Sequence, residues 1–163
     1  MNIKLKCLEL KDAKEILEAV KETNFKYNRM SNEINLFDEK KWLKKEIKKH
    51  KNKIVQAYKI VNEKKIVGII TLKMNQEQKY LCELGYWIRK SEQGKNIATK
   101  ATKEILKEAR KINLTGVQAV VDPKNIASQR VLEKNGFKKI GLLKKYVIIN
   151  GKLKDRLFYW KTI

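Results

Sequence analysis

From Glu83 to Lys111 the chain reads as a strand, a turn and a long helix in immediate succession. Tyr86, Trp87 and Ile88 supply the apolar and aromatic residues of the strand. Gln93, Gly94, Lys95 and Asn96 form the turn. Ile97, Ala101, Ile105, Ala109 and Ile112 then recur at spacings of four and three, the period of one buried helix face. A turn that opens directly into a helix leaves the first backbone N–H groups without intrahelical acceptors. Those donors and the positive end of the helix dipole favour a phosphate or diphosphate. The same unit also occurs simply as a connection between two core elements, so the pattern alone does not assign a ligand.

A second motif lies about thirty residues downstream. Gln93-Gly94-Lys95-Asn96-Ile97-Ala98 resembles the acyl-CoA-binding signature Gln/Arg-x-x-Gly-x-Gly/Ala of the GCN5-related N-acetyltransferases (GNAT), matched at Gln93 and Ala98. Asp122-Pro123-Lys124-Asn125-Ile126-Ala127-Ser128 and Val131-Leu132-Glu133-Lys134-Asn135-Gly136-Phe137 resemble the same family's Asn-x-x-Ser and Glu-Lys-x-Gly-Phe segment. The resemblance spans essentially the whole chain, is firmest from Leu81 to Phe137, and points to the subgroup of RimJ- and RimL-type ribosomal-protein acetyltransferases. Asn96 stands where the family usually has its middle glycine. Asparagine is among the few side chains that tolerate positive φ, so the turn is expected to keep its shape.

The resemblance implies a single acetyltransferase domain over residues 1–163, acetyl-CoA as acyl donor, a primary amine as acceptor and no metal. It implies an α/β (α+β) fold: a mixed, mostly antiparallel central sheet with helices on both faces and one splayed strand pair that admits CoA. The pantetheine then pairs with main-chain groups of Trp87, Ile88 and Arg89, and the Ile88 N–H polarises the thioester carbonyl. Gln93, Gly94, Lys95, Asn96, Ile97, Ala98 and Thr99 hold the diphosphate, with Lys95 as an adjacent cation or as an ordinary solvated lysine. Many relatives place a tyrosine where this chain has Leu132, which has no proton to give. Ser128 is the group expected at the CoA sulfur, or else a residue that satisfies helix N-terminal donors. Asn125 anchors the pantetheine amides or the helix start. Glu83, two residues before Gly85, is the candidate base. Ile140 precedes Gly141 where the subgroup often carries Glu, which leaves the acceptor open. A protein N-terminus and a small amine both remain.

The formal net charge of +21 draws attention to polyanions. Lysine supplies nearly all of it, and isoleucine and asparagine are also abundant, a trio expected from an AT-rich genome. Only Lys40 to Lys53 concentrates the charge. A second function class therefore stands beside the enzyme: an acetyltransferase-like fold acting as a basic RNA- or ribosome-binding module. At 163 residues and 42% hydrophobic content the chain can bury a core. No apolar run reaches the ~18 residues of a membrane span, and a cytoplasmic location is expected. Cys7 and Cys82 are read as reduced, and the single histidine, His50, gives Cys82 no evident base. Monomer and homodimer are not distinguished.

Further elements follow from local patterns. Ile3 to Leu8 alternates as a strand, and Asp12 with Glu15 resembles a capping box before Ala13, Ile16, Leu17 and Val20. Phe25, Tyr27, Arg29 and Met30 fall where the family covers its acceptor. Asp38 is expected to cap a helix carrying Trp42, Leu43 and Ile47. Ile54 to Val61 and Ile66 to Met74 form a hairpin, and Gly116 to Val121 is a strand ended by Pro123. Asn125 opens a helix that Gly136 closes. Asn150-Gly151 turns a last hairpin between Tyr146–Ile149 and Leu153–Trp160.

Overall fold

The computed structural model describes residues 2–23 and 35–163. The acceptor-lining expectation for Phe25, Tyr27, Arg29 and Met30 falls outside them. Seven strands form one sheet: β1 (Ile3–Cys7), β2 (Val55–Asn62), β3 (Lys65–Met74), β4 (Leu81–Ile88), β5 (Gly116–Val121), β6 (Lys138–Ile149) and β7 (Lys152–Thr162). Their order is β1-β2-β3-β4-β5-β7-β6. Every pairing is antiparallel except β4 with β5, which is parallel. Helices α1 (Ala13–Glu22) and α2 (Leu36–Lys51) cover one face; α3 (Ile97–Lys111) and α4 (Ile126–Lys134) cover the other.

Two apolar clusters result, one per face. Ile70, Leu72, Cys82, Leu84 and Ile88 pack with Ile97, Ala101, Ile105 and Ala109 of α3. Ile66 and Ile69 pack with Ala13, Ile16, Val20 and Leu43 of α1 and α2. Because strand side chains alternate, β4 sends Cys82, Leu84, Tyr86 and Ile88 toward α3, and Glu83 and Trp87 toward α1 and α2. Gly68 lets β3 and β4 approach here: a Cβ at that position would overlap the carbonyl oxygen of Trp87.

Several caps differ from the sequence expectation. Asn35, not Asp38, caps α2; its side chain accepts from the Asp38 N–H at 3.0 Å. Asp38 lies instead in the first turn, where its charge complements the dipole. Asp12 precedes α1 but makes no side-chain cap there. Its carboxylate accepts from the Glu9 N–H at 2.7 Å and from Lys59 Nζ at 2.8 Å. Glu15 likewise reaches across to the Ile66 N–H at 2.6 Å. A buried lysine on β2 and an unpaired strand-end donor outcompete the local cap. β6 begins at Lys138, eight residues before the expected Tyr146, because Lys145 at φ 52 and a register shift between Leu143 and Val147 interrupt the alternation. The hairpin turn itself is as expected, with Asn150 and Gly151 both at positive φ.

Glu39 on α2 is 4% exposed, and its Oε1 has no hydrogen-bond partner among the described residues. Burial pushes its carboxyl up to about 7. The folded state therefore holds a proton that the unfolded chain has released, so stability falls as pH rises from about 4.5 to about 7. Glu39→Gln removes this slope. The variant is expected to gain roughly 2 kcal/mol over the parent at pH 8 and little at pH 4, read from urea unfolding at both values.

Candidate active site

β4 and β5 pair only at Leu81–Gly116, Cys82–Val117 and Glu83–Gln118. Beyond Glu83 they part, while β5 stays paired with β7 as far as Val121. The remainder of β4 thus borders a gap in the sheet. The Arg89 N–H donates to the Val67 carbonyl at 2.8 Å, which fixes the alternation of the β3–β4 ladder. Main-chain groups of Trp87 and Arg89 point to β3, and those of Tyr86 and Ile88 point into the gap. Of the three residues expected to meet pantetheine, only Ile88 offers the gap a main-chain N–H. The Arg89 side chain is also engaged, with Nε 3.0 Å from Glu22 of α1.

The turn that follows closes one end of this gap. Gly94 and Asn96 adopt φ of 77° and 57°, so asparagine does take the left-handed conformation expected at the glycine position. The first helical bond of α3 runs from the Lys100 N–H to the Asn96 carbonyl at 3.1 Å. The N–H groups of Ile97, Ala98 and Thr99 therefore precede the helical ladder. Those of Gly94, Lys95 and Asn96 also take no acceptor among the described residues. Gln93 donates through Nε2 to the Ile88 carbonyl at 2.9 Å, tying the turn to the gap-lining strand. Lys95 pairs with Glu92 at 3.2 Å and its side chain is 48% exposed, a weak surface pair that leaves it able to turn toward an anion.

Helix α4 faces the gap from the α3 side. Asn125 caps it, its Oδ1 accepting from the Ser128 N–H at 3.1 Å. Of the two roles open to Asn125 from the sequence, the helix start is occupied. Leu132 is 1% exposed and belongs to the core. Gly136 at φ 77 completes the C-terminal cap, with the Phe137 N–H bonded to the Leu132 carbonyl at 3.1 Å. Asn135, which the sequence did not single out, bridges the carbonyls of Thr99 and Val131 and so clamps the start of α3 to the end of α4.

Glu83 lies at the fork, on the α1/α2 face. Its Oε2 accepts from Gln118 Nε2 at 3.2 Å. Ser128 and Glu83 therefore approach the gap from opposite faces of the sheet. Cys82 faces the α3 side and is 1% exposed; burial, reinforced by the Glu83 charge, pushes its thiol up to about 12 and keeps it protonated. His50 is likewise structural, its Nδ1 accepting from the Ala57 N–H at 3.1 Å. No metal-ligating cluster occurs among the described residues, and no helix among them is long and apolar enough to cross a membrane.

The Acetyltransferase (GNAT) domain model matches residues 2–138. The chain belongs to the GNAT acetyltransferase family. A relative, the "Probable N-acetyltransferase YjcK" of Bacillus subtilis, is 41% identical over 73 residues, which are 44% of this chain and 40% of that protein. The match thus spans less than half of that relative's length. Among solved structures, the microcin C7 self-immunity acetyltransferase MccE, in complex with acetyl-CoA and AMP, superposes with a TM-score of 0.92 at 24% identity, over 99% of this chain and 92% of its own. The ribosomal-protein-S5-alanine acetyltransferase of Vibrio fischeri gives 0.89 at 23% identity, over 99% and 93%. At these identities the likeness is one of fold.

Proposed function

We propose that this GNAT domain transfers the acetyl group of acetyl-CoA directly to a primary amine. The observation that supports this most strongly is the meeting of two unsatisfied main-chain surfaces: the parted edge of β4 and the open N–H groups from Gly94 to Thr99. An extended pantetheine adds to such an edge as a strand does. A diphosphate suits the turn and helix start. The donor-binding set is then Trp87, Ile88, Arg89, Gln93, Gly94, Lys95, Asn96, Ile97, Ala98, Thr99, Asn125 and Ser128. Within it, Gln93, Asn125 and Arg89 shape the cleft, Ile88 polarises the carbonyl, and Ser128 meets the sulfur.

The acceptor enters from the α1/α2 face. An ammonium has no lone pair, so its proton must leave first; Glu83 takes it, directly or through one water. Nitrogen then attacks the carbonyl carbon, the C–S bond breaks, the CoA thiolate departs on the α4 side, and the acylated nitrogen loses its second proton to solvent to give the neutral amide. The class of acceptor rests on the relatives in shape, which include ribosomal-protein N-terminal acetyltransferases and a spermidine acetyltransferase chimera. An α-amine at a protein N-terminus and a small amine both fit direct attack.

A free-thiol assay over a panel of amines tests the reading. Glu83→Gln is expected to lower kcat about 100-fold at pH 7, and less as pH rises and the amine becomes neutral unaided. A deficit that does not change with pH removes Glu83 from the base role. The second reading, a basic RNA-binding module, draws on Lys40, Lys41, Lys44, Lys45 and Lys48 of α2, which have no acidic partner among the described residues. Failure to bind acetyl-CoA at millimolar concentration, together with salt-dependent RNA binding, favours that alternative.

A further inference from the structure

The family's usual tyrosine is replaced here by a core leucine, yet a tyrosine hydroxyl does stand at the gap from another element. Tyr86 lies on the parted portion of β4 and turns its side chain toward α3 and α4. Its hydroxyl is sealed from solvent and completes no hydrogen bond among the described residues. Among them, the Ser128 hydroxyl draws the Tyr86 ionisation down by hydrogen bonding, although the two hydroxyls are not aligned as a formed pair. A buried hydroxyl without a partner is costly, and its persistence beside a functional group points to a role filled only when ligand is present.

We propose that Tyr86 is a positioning residue for thiolate departure: its hydroxyl donates to Ser128 Oγ and thereby directs the Ser128 proton at the CoA sulfur. This rests on the acetyl-transfer reading and on Ser128 as the sulfur's neighbour. As the N–C bond forms and the C–S bond breaks, the electron pair goes to sulfur. Ser128 donates to that sulfur and Tyr86 donates to Ser128, a chain in which each hydrogen bond polarises the next. Both hydroxyls keep their protons, and the released thiolate takes its proton from solvent. Burial pushes the Tyr86 phenol up to about 12, even with Ser128 drawing it down. Transfer of its proton to a thiolate whose ordinary pKa is about 8.5 is uphill by several powers of ten, so Tyr86 acts as a fixed donor rather than an acid.

Tyr86→Phe keeps the ring and removes only the hydroxyl. It is expected to lower kcat about 10-fold with KM for acetyl-CoA unchanged, the effect of one lost hydrogen bond. The pKa of the thiol in bound CoA, followed by thiolate absorbance, is expected to rise by about one unit in Tyr86→Phe and in Ser128→Ala, with no further rise in the double variant. The variant should also melt no lower than the parent, because it sheds an unpaired buried polar atom. A purely structural tyrosine predicts the reverse: a lower melting temperature and an unmoved thiol. If Ser128→Ala shifts kcat and the thiol while Tyr86→Phe does not, the Tyr86 inference fails and the acetyl-transfer reading stands. If the parent itself neither binds CoA nor releases thiol, both fail together.

Discussion

S-acetyl-pantetheine, which keeps the thioester and lacks the diphosphate, is expected to be used about 10³-fold less efficiently than acetyl-CoA in kcat/KM. The loss follows from the turn after β4. The N–H groups of Gly94, Lys95, Asn96, Ile97, Ala98 and Thr99 have no acceptor among the described residues. A diphosphate satisfies several at once. Each hydrogen bond to a charged partner is worth about 1.5–3 kcal/mol, so two or three account for roughly 4 kcal/mol after desolvation is offset. The backbone supplies these contacts, so side-chain truncation leaves most of them intact and conformation decides. Asn96→Val places a β-branched residue at φ 57, where it is strained, and is expected to weaken acetyl-CoA binding about 30-fold by calorimetry. Asn96→Gly meets the same φ without strain and should bind as the parent does or more tightly. Equal use of the two thioesters would place the affinity in the pantetheine arm alone.

Asp12→Ala is expected to cost about 3–5 kcal/mol of folding stability, measured by urea unfolding. Lys59 is 6% exposed, with Nζ 2.8 Å from both oxygens of Asp12 and 2.9 Å from Glu9 Oε1. Burial works against its charge, but the two carboxylates outweigh it and hold its pKa above the ordinary lysine value. The sign of the pH dependence follows. A raised lysine pKa gives stability that is fully present below the unfolded value, near 10.5, and lost only as pH climbs through the folded one. At neutral pH the pair therefore contributes in full. Without Asp12 the ammonium keeps only Glu9, so the variant's deficit should shrink at alkaline pH as Lys59 discharges. Glu9, drawn down to about 2 by Lys11 and Lys59, gives up its contribution as pH falls from about 4.5 to about 2. Asp12→Ala combined with Lys59→Met should recover much of the loss, since it leaves no buried charge. A deficit below about 1 kcal/mol would mean that the cluster behaves as a surface pair.

Where the sequence was legible, a local rule and a tertiary demand agreed. The periodic run from Ile97, the asparagine of the turn and Gly136 after α4 each have one conformational reading, and the structure has that conformation. Legibility failed where distant partners competed. Asp12 and Glu15 have the spacing of a capping box, yet Lys59 and the Ile66 N–H claim their carboxylates from β2 and β3. No local pattern announces either contact. The site shows the same division. The Ile88 role came with the family resemblance, whereas the engagement of Arg89 by Val67 and Glu22 depends on the β3–β4 register and on where α1 ends. Tyr86 was visible only as an aromatic strand residue. Its significance comes from an unpaired hydroxyl and the arrival of Ser128 from α4, forty-two positions on in the chain.

Amide resonances followed by nuclear magnetic resonance during titration with acetyl-CoA report directly on the grip proposed for this fold. The N–H signals of Gly94 to Thr99 and of Ile88 should move downfield and saturate together, while those of Trp87 and Arg89, already bonded to β3, move little. Shifts confined to the lysine face of α2, or none at millimolar acetyl-CoA, would contradict a diphosphate held by the turn and a thioester held by the parted strand.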